Sequence, residues 1–411
     1  MTDAAVAEVS AARRLIAQRD FMLYITGRSL NTLGTHMQTV AIGWMLYQLT
    51  SDPLDLGFVG LAQFAPMLGL FLVAGYTADR FDRRIVLGLC YLLGTIGAFL
   101  LFVLAIAGNT QAWPIFLTMT IFGASRAFSQ PAGQALLPNL VPKDIFPVAV
   151  AWNSSVGKLA GIVGPALGGL LYAWLDIWVF LVVTVVFALP VLMTFAMKAR
   201  LKIARGEPVS LASVLGGFAY VWSKPVVLGA ITLDLCAVIF AGLPMMLPIF
   251  ASDILHVGSE GLGFLRAAPA VGATIMAVAL TQIGSLRNTG TILFATVAVY
   301  GSAILTFGLS TSFWLSLAAL FVYGASDMIS VYIRLTLVQI KTPDEMRGRV
   351  SSVNAVSINA SNDLGDFRAG TMAAWLGPVP AVLAGGIFTL IVCVTFARLF
   401  PDLRRADRLD E

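Results

Sequence analysis

The stretch Gly75-Tyr76-Thr77-Ala78-Asp79-Arg80-Phe81-Asp82-Arg83-Arg84 separates two long apolar runs and carries three arginines and two aspartates. The apolar segments on both sides are long enough to cross a bilayer, so the charged stretch between them must lie in water at the membrane edge. The sequence therefore predicts a short connection between two membrane-spanning helices at this point.

The composition places the rest of the chain in the membrane as well. Of the 411 residues, 58% are hydrophobic and 12% are charged, and such a chain cannot hide its apolar surface in a soluble core. The net charge of +4 comes from basic residues clustered between apolar runs. This pattern orients a membrane protein and does not indicate a nucleic-acid partner.

No motif for a cofactor, a metal or catalysis is found. The three cysteines (Cys90, Cys236 and Cys393) lie far apart inside apolar runs, so neither a disulfide framework nor a metal site is predicted. The sequence also lacks a phosphate-binding loop, a Gly-x-Ser-x-Gly elbow and a His/Glu metal motif. We therefore expect no cofactor, no enzymatic activity and no direct use of ATP.

Twelve apolar segments each reach the roughly 20 residues that a helix needs to cross a membrane. Backbone polar groups cannot stay unpaired in hydrocarbon, and the segments lack the alternation of strands, so the predicted fold is all-α with twelve transmembrane helices. The predicted spans are 21–48, 56–78, 85–107, 113–137, 148–172, 176–197, 225–250, 259–282, 289–309, 313–337, 348–372 and 378–400.

Basic residues fall mainly on one set of alternate connections. Connections of the other set, such as 50–53 and 107–110, contain no lysine or arginine, so the positive-inside rule places both termini in the cytoplasm. The stretch 198–224 carries five basic residues and is predicted to be a cytoplasmic linker, with a short surface helix around Leu201–Leu215. It divides the chain into two six-helix bundles, 1–197 and 225–411.

The two halves repeat at a nearly constant spacing. Gly123-Ala124-Ser125 recurs 201 residues later as Gly324-Ala325-Ser326, and the pair Pro66 and Gly69 recurs 203 residues later as Pro269 and Gly272. Pro142 with Pro343, and Asn153 with Asn354, keep the spacing of 201. The repeat predicts two pseudo-symmetric bundles with a site between them near the middle of the membrane.

The charged stretch 75–84 resembles the signature Gly-x-Leu-Ala-Asp-Arg-x-Gly-Arg-Arg/Lys, which lies between the second and third helices of the major facilitator superfamily of secondary transporters. Thr77 replaces the leucine, and Asp82 replaces a glycine; aspartate adopts a positive φ less readily than glycine does. The resemblance implies two bundles that rock about a central site, with a conformational latch at Gly75, Asp79, Arg80, Arg83 and Arg84.

A second motif lies in the fifth span, where six residues resemble the Gly-Pro-x-x-Gly-Gly antiporter motif of exporters in this superfamily. A face of small residues lets two helices approach closely, and a proline bends the helix locally, so this segment is predicted to be a pivot or seal. The alternative is plain close packing. The residues are Gly157, Gly161, Gly164, Pro165, Gly168 and Gly169.

Nine charged residues fall well inside the predicted spans. Each costs several kcal/mol if it faces lipid, so they must face a wet cavity or one another. They are Arg28, Arg126, Lys158, Asp234, Arg266, Asp327, Asp363, Asp366 and Arg368.

Helical spacing arranges many of the polar residues into stripes on the first, fourth and eleventh spans. Arg126 on the fourth span resembles the arginine that the superfamily links with proton coupling. Residues 351–378, together with Phe81-Asp82-Arg83-Arg84, resemble the enterobactin-exporter and drug-efflux branch. The predicted substrate cavity is lined by Arg28, Asn31, Thr35, Gln38, Arg126, Gln130, Asp234, Arg266, Asp327, Asn359 and Asn362.

A proton carrier must change its charge near neutral pH, which for a carboxyl group requires burial or a neighbouring acid. Asp363 and Asp366, one helical turn apart, are the favoured pair, with Asp234 as a further candidate; permanent ion pairs are the alternative. Arg126 and Asp327 occupy equivalent positions in the repeat, so they are predicted to approach across the pseudo-twofold axis, unless each pairs within its own half. His36 is a weaker candidate.

These observations predict a secondary transporter that exports an amphiphilic small molecule, such as a siderophore or drug, in exchange for protons. The alternatives are proton-coupled uptake of a metabolite and, less favoured, a membrane sensor or scaffold. The predicted partners are the substrate, protons and the lipid bilayer. The predicted location is the cytoplasmic membrane of a bacterium, with the protein acting as a monomer.

Overall fold

The computed structural model describes residues 13–198, 211–283 and 287–405, and it confirms the all-α fold. These residues form twelve long helices, and each overlaps one predicted span. The first six are α1 (Arg19–Thr50), α2 (Pro53–Arg80), α3 (Arg83–Ile106), α4 (Trp113–Leu136), α5 (Phe146–Leu175) and α6 (Val179–Ala196).

The second set follows a shorter helix, α7 (Leu211–Ser223), which lies between the two sets of six. Proline occupies the first helical position of α8 and α13, where its missing N–H costs nothing and its fixed φ suits the helix. The helices are α8 (Pro225–Ala241), α9 (Gly258–Ile283), α10 (Thr289–Leu309), α11 (Phe313–Ile340), α12 (Asp344–Leu376) and α13 (Pro378–Leu399), with a final turn α14 (Pro401–Arg404).

Eight stretches of the described chain are long and apolar enough to cross a membrane by length and composition, and one of them, Phe146–Ala196, covers both α5 and α6. The long helices outside these stretches are α1, α4 and α12. The polar stripes predicted from the sequence lie on these same three helices. Polar side chains lower the apolar content of α1, α4 and α12, so their place in the membrane depends on protein neighbours more than on lipid.

The chain divides by contacts into two compact units. The first comprises Met1–Ile42 and Ala65–Val209, and the second comprises Gly43–Phe64 and Ser210–Glu411. The second unit therefore contains the end of α1 and the beginning of α2. Each unit has its own apolar core, with Phe21, Leu87 and Leu136 in the first and Leu233, Leu293 and Ile333 in the second.

The described part of the stretch that precedes α8 is helical. Residues 199–210, which include most of the predicted surface helix around Leu201–Leu215, lie outside the described residues. From Leu211 the chain is helical as far as Ser223. This helix, α7, packs on α12 in the second unit, because Gly217 leaves room for the main chain at Arg349 and Val221 enters the core.

The prediction of one continuous helix over 225–250 is wrong. Helix α8 ends at Ala241, because Gly242 adopts a left-handed conformation with φ +49° and Pro244 has no N–H to continue the helical bonding. A 3-10 turn, Pro244–Met246, and a π-helical turn, Phe250–Ile254, complete the segment. The apolar run is long enough, but the backbone breaks in the middle of it.

Within the charged stretch 75–84, only Phe81 and Asp82 lie between α2 and α3, and they form a turn. Asp82 has φ −60° and ψ 111°, and its side chain accepts a hydrogen bond from the N–H of Arg84 at 2.9 Å. This is an N-cap, a position that aspartate favours. A positive φ is therefore not needed where the family signature has glycine.

Candidate functional site

In the first unit, the polar stripe on α1 is tied to α4. Arg28 Nη1 donates a hydrogen bond to the hydroxyl of Tyr24 at 2.9 Å, and that hydroxyl donates to the main-chain oxygen of Gly133 at 2.9 Å. Because Gly133 has no side chain, the guanidinium fits beside it; an added Cβ would lie 3.3 Å from Arg28 Nη1. Arg28 is thus fixed by its own helix and by α4.

The remaining predicted cavity residues of the first unit differ in burial. Gln38 is 4% exposed, and its Oε1 has no hydrogen-bond partner within the described ranges. Thr35 and Gln130 are exposed, and Asn31 and Arg126 are half-buried. Thr35 Oγ1 donates to the main-chain oxygen of Asn31 at 2.8 Å, so this hydroxyl is satisfied by its own helix.

The glycine face of α5 packs on α1. A Cβ at Gly164 would lie 2.6 Å from the Cβ of His36, and one at Gly168 would lie 2.7 Å from the main chain of Met37. At the other end of the ladder a Cβ at Gly157 would meet nothing within 4 Å. Close packing therefore explains Gly164 and Gly168, whereas the role of the motif as a seal stays a prediction.

The basic residues of the charged stretch bind within the first unit. Arg83 Nη1 donates to the main-chain oxygen of Ala135 at 3.0 Å, and Arg84 Nη1 donates to that of Met197. The guanidinium of Arg80 lies 4.7 Å from the centre of the Tyr76 ring. Gly75 is half-buried, and the side chain of Asp79 is outside the described part, so the latch stays a prediction.

In the second unit, an ion pair buried between α8 and α11 contains a residue that the sequence analysis missed. Arg334 Nη1 lies 2.6 Å from Asp234 Oδ2, and the two side chains are 6% and 9% exposed. Arg334 Nε also donates to Ser330. The predicted tenth span ended three residues after Arg334, which therefore resembled an interfacial residue; its helical spacing from Asp327 and Ser330 was the available signal.

Asp327 lies beside this ion pair. It interacts electrostatically with Arg334 and Asp234, and it lines a cavity of about 10 Å³ together with Asp234, Tyr300 and Ser330. The hydroxyls of Tyr300 and Tyr323 are 3.0 Å apart, and their rings stack with centroids 4.4 Å apart. The structure thus brings together two of the predicted coupling residues, Asp234 and Asp327.

Two half-buried arginines bind the break after α8. Arg368 Nε donates to the main-chain oxygen of Ile239 at 2.9 Å, and its Nη2 donates to that of Phe240 at 2.6 Å. Arg266 Nη2 donates to the main-chain oxygen of Pro244 at 3.0 Å. A helix end leaves its last carbonyls without helical partners, and these two side chains supply donors on both sides of Gly242.

The acidic face of α12 lies against the start of α2 in the second unit. Asp363 is 8% exposed, and a Cβ at Gly60 would lie 3.1 Å from the main-chain oxygen of Asp363 and 3.2 Å from Asp366 Cβ. Asp366 also interacts electrostatically with Arg266 and Arg368. The amides of Asn359 and Asn362 donate to their own helix, at Ala355 and Ile358.

The end of α1 is attached to the segment that follows the break. The hydroxyl of Tyr47 donates a hydrogen bond to Asp253 Oδ2 in the π-helical turn. Gly43, one turn earlier on α1, approaches Pro248 closely enough that an added Cβ would lie 3.2 Å from its ring. The tip of α1, the broken segment and α12 therefore form one packed group within the second unit.

Comparison with known proteins shows which class of protein this chain resembles. The chain is 24% identical over 387 residues to the enterobactin exporters EntS of Shigella boydii and of Escherichia coli, which covers 94% of this chain and 92% of each relative. The solved structure of a mutant of the nucleoside transporter NupG superposes with a TM-score of 0.73 at 15% identity, covering 93% of this chain and all of that one.

A second solved structure gives the same fold. A bacterial homologue of the human lysosomal transporter Spinster, in an inward-facing and occupied conformation, has a TM-score of 0.73 at 13% identity and covers 96% of this chain and 98% of its own. The family described as "Transmembrane secretion effector" matches residues 15–411. The chain therefore belongs to this family of the major facilitator superfamily, and it is a multi-pass membrane transporter rather than an enzyme.

Proposed function

We propose that this protein exports an amphiphilic small molecule, such as a siderophore or a drug, in exchange for protons by alternating access. The observation that carries the proposal is the match to named enterobactin exporters along 94% of the chain, within a family described as secretion effectors. Proton exchange is supported by the buried acids inside spanning helices, because ionisable residues in a membrane mark ion or substrate paths.

The proposed coupling residues lie in both units. Asp234, Asp327, Asp363 and Asp366 belong to the second unit, and Arg126 belongs to the first. The pairing of Arg126 with Asp327 remains a proposal. Reversing both charges is expected to restore the transport that either single reversal abolishes, whereas two independent and additive losses would contradict proximity.

The substrate cavity is proposed to use the polar residues of both units, including Arg28, Gln38 and Asn362, and the latch is proposed at the charged stretch 75–84. In that arrangement Asp79→Asn biases the carrier toward its inward-open state, which depresses transport and leaves substrate affinity largely intact. We also propose that the protein is a monomer in the bacterial cytoplasmic membrane with both termini in the cytoplasm.

Two measurements test the function. A thermal-shift screen in detergent compares catecholate siderophores, cationic dyes and metabolites, because a ligand that binds the folded state raises the melting temperature. The stabilising compound is then added to proteoliposomes that contain a pH-sensitive dye. Proton movement opposite to the substrate is the expected result; movement in the same direction indicates uptake, and an absence of coupled proton movement overturns proton exchange.

A further inference from the structure

A polar stripe runs along α11 in the second unit. Tyr323, Asp327, Ser330 and Arg334 follow one another at i, i+4, i+7 and i+11, a spacing that places them on one face of a helix. This face meets α8 through the Arg334 and Asp234 ion pair and α10 through the two tyrosine hydroxyls. The stripe therefore faces protein, not lipid.

The charges on this face do not balance. Asp234 is neutralised by Arg334, whose Nη1 lies 2.6 Å from its carboxylate. Asp327 makes no ion pair within 4 Å in the described chain, although it interacts electrostatically with both members of the pair. Two carboxyl groups thus lie near one guanidinium, and an uncompensated charge inside a membrane-spanning helix is costly. One added proton makes the net charge of Asp234, Asp327 and Arg334 zero.

The space beside the carboxyl groups fits a very small ligand. The cavity that touches both Asp234 and Asp327 measures about 10 Å³, roughly the room that a single water molecule needs. Its polar wall is completed by Tyr300 and Ser330, and its remaining wall is apolar: Leu233, Ala237, Val238 and Val297. A substrate molecule does not fit there, whereas a proton delivered through one water molecule does.

The other charged or titratable side chains near Asp327 lie on the helices that pack around α11. On α8 the group is Asp234, and on α10 it is Tyr300. Arg266 on α9 donates instead to the main-chain oxygen of Pro244. From α12, Asp366 interacts electrostatically with Tyr323. Arg334 is therefore the cation that the structure places beside Asp327.

We infer that Asp327 is the proton-binding residue of this carrier. Arg334 is a positioning residue, which pairs with either the Asp234 or the Asp327 carboxylate. This inference rests on the proposed proton exchange. In the structure Arg334 pairs with Asp234, which is the arrangement expected when Asp327 holds the proton. When Asp327 releases the proton to water, its carboxylate competes with Asp234 for Arg334. Proton binding at Asp327 therefore decides whether Arg334 pairs with Asp234 on α8 or with Asp327 on α11.

The test is infrared difference spectroscopy of the reconstituted protein during a pH titration, which detects the carbonyl stretch of a protonated carboxyl group without any substrate. We expect a protonated-carboxyl band that titrates with pH and is lost in Asp327→Asn. In Arg334→Gln the midpoint of this titration rises by at least one pH unit, a tenfold change in proton concentration, because the neighbouring cation is lost. Asp234→Asn moves it toward lower pH, because Arg334 is then free to pair with Asp327.

Asp402→Asn, at an exposed carboxyl group outside the proposed coupling residues, is the matched control, and it keeps the band. Loss of the band in this control, or its persistence in folded Asp327→Asn, overturns the inference. If Asp327→Asn does not fold, Asp327→Glu is used instead and must change the frequency of the band; an unchanged frequency overturns the inference. Because no substrate is present, a normal band without proton-coupled transport contradicts the proposed function and leaves the proton site intact.

Discussion

Arg368 on α12 donates a hydrogen bond to the main-chain oxygen of Phe240 on α8 at 2.6 Å, and the two residues are 128 apart in sequence. The same guanidinium reaches Ile239 at 2.9 Å, so a charged side chain replaces the helical donors that α8 loses when it ends at Ala241. Hydrogen bonds to a charged group contribute more than neutral ones, about 1.5–3 kcal/mol each. We therefore regard Arg368 as the main stabiliser of the break.

Replacing Arg368 by methionine is expected to lower stability by about 3 kcal/mol, because two half-buried main-chain carbonyls lose their charged donor. The measurement is equilibrium unfolding in mixed detergent and SDS. Arg368→Lys keeps the charge but not the fork of donors, so an intermediate loss is expected. The exposed Arg398 provides the control, since Arg398→Met leaves stability nearly unchanged. Equal losses at both positions would contradict this role for Arg368.

The glycine ladder of α5 gives a prediction with a control in the same helix. In Gly168→Ala the new methyl group meets the main chain of Met37 at 2.7 Å, and such overpacking costs about 1–3 kcal/mol. In Gly157→Ala nothing lies within 4 Å, and the helix gains up to about 1 kcal/mol in propensity. Thermal unfolding should therefore move in opposite directions for the two variants. A shift in the same direction for both is the contrary result.

Local features of this chain were readable from its sequence. Apolar length predicted the twelve helices, and helical spacing predicted the polar stripe on α1 that contains Arg28. The charged stretch and the glycine ladder gave the family. These features depend on residues within a few turns of one another, or on the simple requirement that backbone groups be paired in hydrocarbon.

Features that depend on distant partners were not readable. Arg334 stood near the end of its predicted span, and only its contact with Asp234, 100 residues away, shows that it is buried. The break at Gly242 had a local signal in Gly242-Leu243-Pro244, but an apolar run of normal length concealed it. Its stabilisation by Arg368 depends on how α8 and α12 pack, which no local pattern contains.

The cap at Asp82 predicts how this chain tolerates the glycine of its family signature. Asp82→Ala removes the acceptor for the N–H of Arg84 and is expected to cost about 1 kcal/mol, whereas Asp82→Gly costs only a few tenths. Both are measured by equilibrium unfolding in detergent, with Asp82→Asn as the control that keeps a capping side chain. An alanine variant as stable as the asparagine variant would rule out capping as the reason for aspartate here.

The bond between Tyr47 and Asp253 predicts a coupled pair. Tyr47→Phe removes the donated hydroxyl, and Asp253→Asn removes the charge of the acceptor; each change is expected to cost about 1–2 kcal/mol, since the bond joins a neutral donor to an ionised acceptor. Residues in direct contact are not additive. The double variant Tyr47→Phe with Asp253→Asn should therefore lose little more than the more damaging single change.

The unmodified protein, the two single variants and the double variant are compared by thermal unfolding in one detergent, which gives a double-mutant cycle. Pairing Tyr47→Phe with Asp82→Ala, which lies in the other unit, is the control, and there the two losses should add. If the losses at Tyr47 and Asp253 also add, the hydrogen bond does not hold the end of α1 to the π-helical turn. A coupling energy near 1 kcal/mol shows instead that the turn needs the α1 tip to stay in place.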